Sequence, residues 1–431
     1  MKQYATKPLA CWNKAKELRM GYYQRYKDPT RLRWSGSSLS FDALPRGLGT
    51  DVSFLAGEPY AASIAFNRGL ALRCMEATEN RGWARDLCSH LRNYLGSMYL
   101  DEYNYGGPFP RPDFCFTSHI CCTHGKWYEI VSEYEKVPYF CVDIAPGAAT
   151  DLNPNKIDYV VNQLHEAIDW MERVTGREFQ DELFIEAVKV DFRSTSTWAE
   201  VCTLNKHVPA PLDEKTMHSL YVLGAMDRCD KEFADFFEEL RDEVKERVAQ
   251  GIAAVPYERC RLMTDIQPPW HFLDLYRYLE KYGAVSIGSA YVYGLTGMWE
   301  DQPDGSWGPA RTPMDKGIQI RTRDQALHLL VEWNLRKPTL QHWYDPQLKT
   351  DMMVRLAKEW RLDGMILHFN RGCEGVTLGI AENRLGLMKA GVPVMTYEGN
   401  MADQREFDES KTLARIDSFM ESLGYGKIAA E

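Results

Sequence analysis

His368-Phe369-Asn370-Arg371-Gly372-Cys373-Glu374-Gly375 is the stretch from which the rest of the chain can be read. An apolar run, Gly364 to Leu367, precedes it and reads as a buried strand. A helical pattern from about Thr377 to Lys389, closed by Gly391, follows it. Cys373 therefore falls in a strand-to-helix turn, the carboxyl end of a strand, where open α/β sheets bind their ligands. Gly372 and Gly375 let the backbone bend tightly and leave room beside the sulfur. Alone, the stretch admits both a buried free cysteine and a ligand.

The same arrangement occurs earlier. A short strand, Phe114 to Thr117, runs into Ser118-His119-Ile120-Cys121-Cys122-Thr123-His124-Gly125, then a helix from Lys126 to Tyr134 and a strand from Val137 to Ile144. Cys88, in Asp86-Leu87-Cys88-Ser89, lies early in a helix expected over Ala84 to Tyr99, where a helix N-terminus favours thiolate. Upstream are a helix from Trp12 to Tyr26, a small-residue turn at Arg33 to Ser38 that includes Ser35, and a helix from Ala61 to Glu79.

Residues 151–255 read as mainly helical. Asn153-Pro154 has the form of an N-cap followed by a first-turn proline, and Ile157, Val160, Val161, Leu164, Ile168 and Met171 share one face. A further helix spans about Phe233 to Ala249. Alternation resumes after 256. Strands are expected at Arg261–Ile266, Ala284–Ile287 and Val392–Tyr397, helices at His271–Tyr282, 323–335, 346–360 and 409–423, and a surface loop at 299–315. Alternating strands and helices imply parallel sheets covered on both faces. The expected architecture is α/β, with two parallel-sheet, Rossmann- or flavodoxin-like domains, 1–150 and 256–431, joined by a mainly helical segment, 151–255.

At 431 residues, 45% hydrophobic and 26% charged, the chain has the composition of a globular protein. A net charge of −10 without a long basic block speaks against nucleic acid. No apolar run reaches membrane-spanning length, and the N-terminus lacks the central apolar region of a secretory signal; a cytoplasmic location is expected. The 11 cysteines are widely spread, with no C-x-x-C pair, so thiols are expected rather than a disulfide framework or zinc ribbon. Any metal site must gather cysteines from distant parts of the chain. The P-loop, dinucleotide and G-x-S-x-G signatures are missing.

In order, Asp86-Leu-Cys88-Ser-His-Leu-Arg92, Ile120-Cys121-Cys122-Thr-His-Gly-Lys126-Trp127-Tyr128-Glu129 and His368-Phe-Asn370-Arg371-Gly-Cys373 resemble the paired subunits of the 2-hydroxyacyl-CoA dehydratase and ATP-dependent benzoyl-CoA reductase family. Trp34-Ser35-Gly36-Ser37, Gly57-Glu58-Pro59, Pro209-Ala-Pro211, Pro268-Pro269-Trp270 and Glu398-Gly399-Asn400 extend the resemblance over nearly the whole chain. The text around Asn370 to Gly375 and Tyr397 to Met401 is most similar to the larger, substrate-side subunit of benzoyl-CoA reductase. The resemblance implies a [4Fe–4S] cluster on Cys88, Cys121 and Cys373 in the interdomain cleft, one iron being left for another ligand or the substrate. Cys122 departs from the pattern; Cys121 keeps the spacing to Lys126–Glu129. Also implied are an aryl- or acyl-CoA substrate, a homologous second subunit, an ATP-hydrolysing iron–sulfur activator and reduced ferredoxin upstream.

The expected function is thus dearomatising reduction of benzoyl-CoA or a close analogue, with dehydration of a 2-hydroxyacyl-CoA through a ketyl radical as the alternative. Ser35, Glu58 and His119 are the candidate catalytic residues, and His124 and His368 also flank the thiols. Two other readings are a non-catalytic electron relay and a zinc-stabilised protein using the three cysteines with His119.

Overall fold

The structure is a computed structural model describing residues 2–38, 40–144, 151–342 and 345–428. The first half contributes β1 (Leu32–Gly36), β2 (Val52–Ala56), β3 (Phe114–His119) and β4 (Tyr139–Asp143). The second contributes β5 (Cys260–Thr264), β6 (Ala284–Ser289), the short hairpin β7 (Trp299–Asp301) and β8 (Trp307–Pro309), then β9 (Gly364–Asn370) and β10 (Val394–Gly399). Two parallel four-stranded sheets result, in the orders β2-β1-β3-β4 and β10-β9-β5-β6. Their central strands are buried nearly throughout, as parallel sheets covered on both faces require. The expected α/β class holds.

In both sheets the first strand is flanked by the second on one side and the third on the other. Chain direction across the sheet reverses between β1 and β3 in one, and between β5 and β9 in the other. Such switch points open a crevice at the carboxyl ends of the strands. Cys121 follows β3 and Cys373 follows β9, so they occupy equivalent places in the two sheets.

Four long helices, Pro154–Thr175, Asp181–Leu204, Glu214–Asp227 and Lys231–Gln250, lie between the sheets in sequence. Asn153 caps the first through Lys156 N at 3.2 Å, and Gly176 ends it in the left-handed region. Their apolar faces join one continuous core with residues of both sheets, including Trp34, Phe116, Leu164, Phe192, Met263 and Leu367. A smaller core of Leu262, Ile366, Tyr397, Ile416 and Phe419 covers the other face of the second sheet. The expected segment boundary at 150 lies outside the described residues.

Several expected elements differ. Arg33–Gly36 is strand rather than turn, paired with both β2 and β3. The helix expected over 61–79 is two, Gly57–Ala65 and Arg68–Glu79, because Asn67 accepts a hydrogen bond from Leu70 N and caps the second. The helix expected from Ala84 begins at Ser89, after Cys88. The expected loop at 299–315 contains a β-hairpin whose Trp299 and Trp307 rings stack at 4.3 Å.

One buried cation ties the helical segment to the loop after β1. Arg228, capping Glu214–Asp227, pairs with Asp42 and with Asp191 (3.0 Å) and donates to the carbonyls of Ser38 (2.6 Å) and Ser40 (2.7 Å). Removing it leaves the buried Asp42 without an ion-pair partner and Asp191 with only Lys337 at 4.0 Å, so Arg228→Met is expected to lose about 3–5 kcal/mol. Urea unfolding measures this; a loss below about 1 kcal/mol would show that the pairing adds nothing.

Candidate active site between two switch points

Three cysteines meet where the two crevices converge. Each immediately precedes a helix: Cys88 before Ser89–Tyr99, Cys121 before Cys122–Glu135 and Cys373 before Glu374–Thr377. All three line one cavity, together with Ser38, Glu58, His90, His124 and Gln267. Its apolar walls come from Trp127, Tyr291, Leu295, Val376 and Met401. Apart from those around Cys88, the residues come from the segments that follow β1, β2 and β3 in one sheet and β5, β6, β9 and β10 in the other, so the cavity belongs to both sheets.

The loops carrying Cys88 and Cys373 touch through backbone. Gly372 has φ +74°, and a Cβ there would stand 2.7 Å from the Asp86 carbonyl oxygen and 2.9 Å from that of Leu87. Glycine meets both the dihedral and the spatial requirement. Arg92, fully buried, donates to the Leu87 carbonyl (3.2 Å) and pairs with Asp403 (3.0 Å), fastening the Cys88 turn to the second sheet's loops. Asn370 accepts from Met401 N at 3.0 Å, fixing the Cys373 turn to the loop after β10.

A row of polar contacts leads to Cys121. Ser38 donates its backbone N–H and hydroxyl to one Glu58 oxygen, both at 3.0 Å. The other Glu58 oxygen lies 2.6 Å from His124 Nε2, and His124 Nδ1 lies 3.4 Å from Cys121 Sγ. Burial disfavours every charge here. Nonetheless Cys121 and Glu58, flanking the ring, hold the His124 imidazole protonated well above the usual range. Against burial, the His124 charge and hydrogen bond bring Cys121 below an ordinary thiol, helped by the N–H groups of His124 and Thr123. With both ring nitrogens facing acceptors, the imidazolium donates to both. Glu58 is likewise held below the ordinary carboxylate range, His124 outweighing burial. Cys88 is pushed up by burial and by the neighbouring Cys373, and Cys373 by burial. His90, whose Nε2 accepts from Trp270 Nε1 at 3.0 Å, is pushed down to about 4 by burial and stays neutral.

Of the expected site residues, the structure brings together Cys88, Cys121, Cys373 and Glu58. Ser35 and His119, the other two expected catalytic residues, do not line the cavity. Ser35 lies inside β1, upstream of its carboxyl end, where its hydroxyl donates to Leu55 O (3.0 Å) and shares a hydrogen bond with Tyr94 (2.8 Å). His119 is exposed at the end of β3, 3.6 Å from Asp143. Cys122 is exposed and does not line the cavity, whereas Cys121 does. Ser38, three residues beyond Ser35, and His90 were missed. His368 packs on Tyr397 and lies 2.8 Å from the Gln267 carbonyl, outside the lining.

Among the described residues, no three His, Cys, Asp or Glu side chains stand close enough to hold a single ion. That spacing, with His119 turned away, counts against a mononuclear zinc site. Three half-buried thiols facing one space do fit an iron–sulfur cluster, which takes cysteine thiolates at several irons. They also need a cationic group between them, since their charges oppose one another.

The fold and site thus define an α/β protein with two facing switch points and a three-cysteine cavity between them. The family model for the 2-hydroxyglutaryl-CoA dehydratase D-component matches residues 40–423, and the chain belongs to that family. It is 25% identical to the (R)-phenyllactyl-CoA dehydratase alpha subunit of Clostridium sporogenes over 85% of this chain and 84% of that one. It is 25% identical to the (R)-2-hydroxyisocaproyl-CoA dehydratase alpha subunit of Clostridioides difficile, covering 86% of each chain. It is 23% identical to the lactoyl-CoA dehydratase alpha subunit of Anaerotignum propionicum, covering 88% of each. These relatives carry dehydratase names, not the benzoyl-CoA reductase name expected from the sequence.

In metal-free Cys122→Ser protein, Cys121 is expected to alkylate with iodoacetamide faster than Cys88 or Cys373 near neutral pH, and His124→Gln to remove that advantage. Because its pKa is depressed, Cys121 should keep the advantage as pH falls until it protonates. Peptide mapping by mass spectrometry reads the rates. Equal rates at all three thiols would show that His124 does not activate Cys121.

Proposed function

We propose that the chain is the cluster-bearing alpha-type subunit of a 2-hydroxyacyl-CoA dehydratase. The observation that carries this is the family match together with three cysteines converging beside an ion-paired Glu58 and His124. Cys88, Cys121 and Cys373 would hold a [4Fe–4S] cluster. When bound, that cluster supplies low-potential electron transfer to the thioester carbonyl. The protein's own part is proton handling and exclusion of water. Glu58, kept ionised in a largely apolar wall, is the base for the β-proton, and the protonated His124 is the acid for the departing hydroxyl. Ser38 fixes the carboxylate, and Trp127, Tyr291, Leu295 and Val376 shield the reacting carbon. The homologous second subunit, ATP-hydrolysing activator and reduced ferredoxin belong to this proposal. Among the described residues no helix is long and apolar enough to cross a membrane.

Benzoyl-CoA reduction is the second reading. It is favoured by the apolar walls, which suit a flat ring, and by the resemblance at Asn370–Gly375 and Tyr397–Met401.

Cys88→Ala, Cys121→Ala and Cys373→Ala are each expected to lose iron and the brown absorbance on anaerobic purification, while Cys122→Ala, Cys202→Ala and Cys229→Ala keep both. Iron retained in the first three variants would contradict the ligand set. With its partner subunit, activator, ATP and a strong reductant, the complex is expected to dehydrate 2-hydroxyacyl-CoA esters and leave benzoyl-CoA unreduced. Glu58→Gln is expected to slow dehydration on the order of 10²-fold or more with iron content unchanged. Ring reduction without dehydration would replace the first reading by the second.

A further inference from the structure

The cysteine cavity does not end at Cys373. Gly372, Cys373 and Glu374 also wall a more open slot on the outer side of that turn, where Leu378 is among the most exposed apolar residues of the chain. That slot in turn shares Phe369, Arg371 and Glu406 with a groove at the carboxyl edge of β10, bounded by the first turns of helix Glu409–Ser422. The slot is mainly apolar; the groove is about equally polar and apolar and carries four basic side chains, Arg371, Arg405, Lys411 and Arg415.

The groove's charges are not equivalent. Arg371 is paired with Glu398, and Arg405 with Asp403 and Glu79. The remaining acids are also engaged: Glu406 lies 3.6 Å from Arg85 and accepts from Asn400, and Asp408 caps the helix through Lys411 N. Lys411 and Arg415 sit one helical turn apart, both exposed, and neither has a carboxylate within ion-pair distance among the described residues. Arg415 donates only to the Thr396 carbonyl, at 2.7 Å. Beside them Phe369 is 43% exposed near the end of a strand that is otherwise buried, and it lines both the slot and the groove.

We propose that this groove binds the 3′-phosphorylated ADP end of the coenzyme A thioester. The adenine lies on Phe369, the phosphates on Lys411 and Arg415, and the pantetheine chain runs through the Leu378 slot past Gly372 to bring the thioester beside Cys373. The assignment follows from the order of the surfaces: two free cations and an exposed ring, then an apolar passage, then the cavity. That order matches the polyanionic nucleotide, linear arm and acyl group of the ligand. Guanidinium and ammonium groups suit phosphate oxygens, and an aromatic face suits a base. This proposal rests on the substrate class given under Proposed function.

Calorimetry with coenzyme A, adenosine 3′,5′-bisphosphate and pantetheine tests it on the full chain, without turnover. Coenzyme A and the bisphosphate are expected to bind wild type, more weakly as salt rises, and pantetheine far less tightly. Lys411→Glu with Arg415→Glu should weaken both nucleotides about tenfold or more, and Phe369→Ala should weaken them at unchanged salt dependence. All three side chains are exposed, so thermal melting is expected to match wild type. Wild-type binding that survives the charge reversals within about twofold would overturn the groove and leave the substrate class standing. No binding of coenzyme A by wild type would overturn both.

Discussion

The backbone contact between Gly372 and the carbonyls of Asp86 and Leu87 is the constraint on which the site depends. It brings together two loops that are nearly three hundred residues apart in the chain, and each carries a thiol that burial keeps protonated when alone. Any side chain at Gly372 would meet main chain, which cannot rotate away, in a dihedral region that L-residues avoid. Arg92 and Asn370 reinforce the contact from either side, one through a buried ion pair and one through a backbone cap. The convergence of the cysteines is thus an outcome of backbone packing between sheets rather than of any local motif.

The two sheets share one strand order, which puts Cys121 and Cys373 in corresponding positions, and both residues line one cavity. Their surroundings differ. Cys121 stands at the end of a charged row, Ser38–Glu58–His124, while Cys373 faces apolar walls and an opening to solvent. That asymmetry gives the cavity a charged side and an apolar side open to solvent. It accounts for the distribution of polar residues without requiring any of them to contact both sheets.

Much of this was legible in the sequence. The strand–turn–helix pattern around Cys373 and around Cys121 gave parallel strands, a carboxyl-end site and two of the three thiols, because apolar runs and helix stops report local structure directly. Asn153-Pro154 and the face from Ile157 to Met171 gave the first connecting helix for the same reason. Less was visible where tertiary context decides. Ser35 and Ser38 lie three residues apart among small polar residues, and only pairing of β1 with both neighbours buries the first and leaves the second at the strand end. His119 and His124 flank one cysteine pair, yet the helix begins at Cys122 rather than Lys126, which turns His124 inward in its first turn and leaves His119 outside. The i+3 spacing of His124 from Cys121 was the available signal, and it required the helix start to be placed correctly.

The central claim is that thiols from both sheets hold one metal cluster at the facing switch points. Iron anomalous scattering from crystals of anaerobically purified protein tests it most directly. The account predicts one compact iron feature bonded to the sulfurs of Cys88, Cys121 and Cys373, with Cys122 outside it and His124 beside the Cys121 sulfur. Iron bound to Cys122 instead, or a feature held by cysteines of one sheet alone, would contradict it.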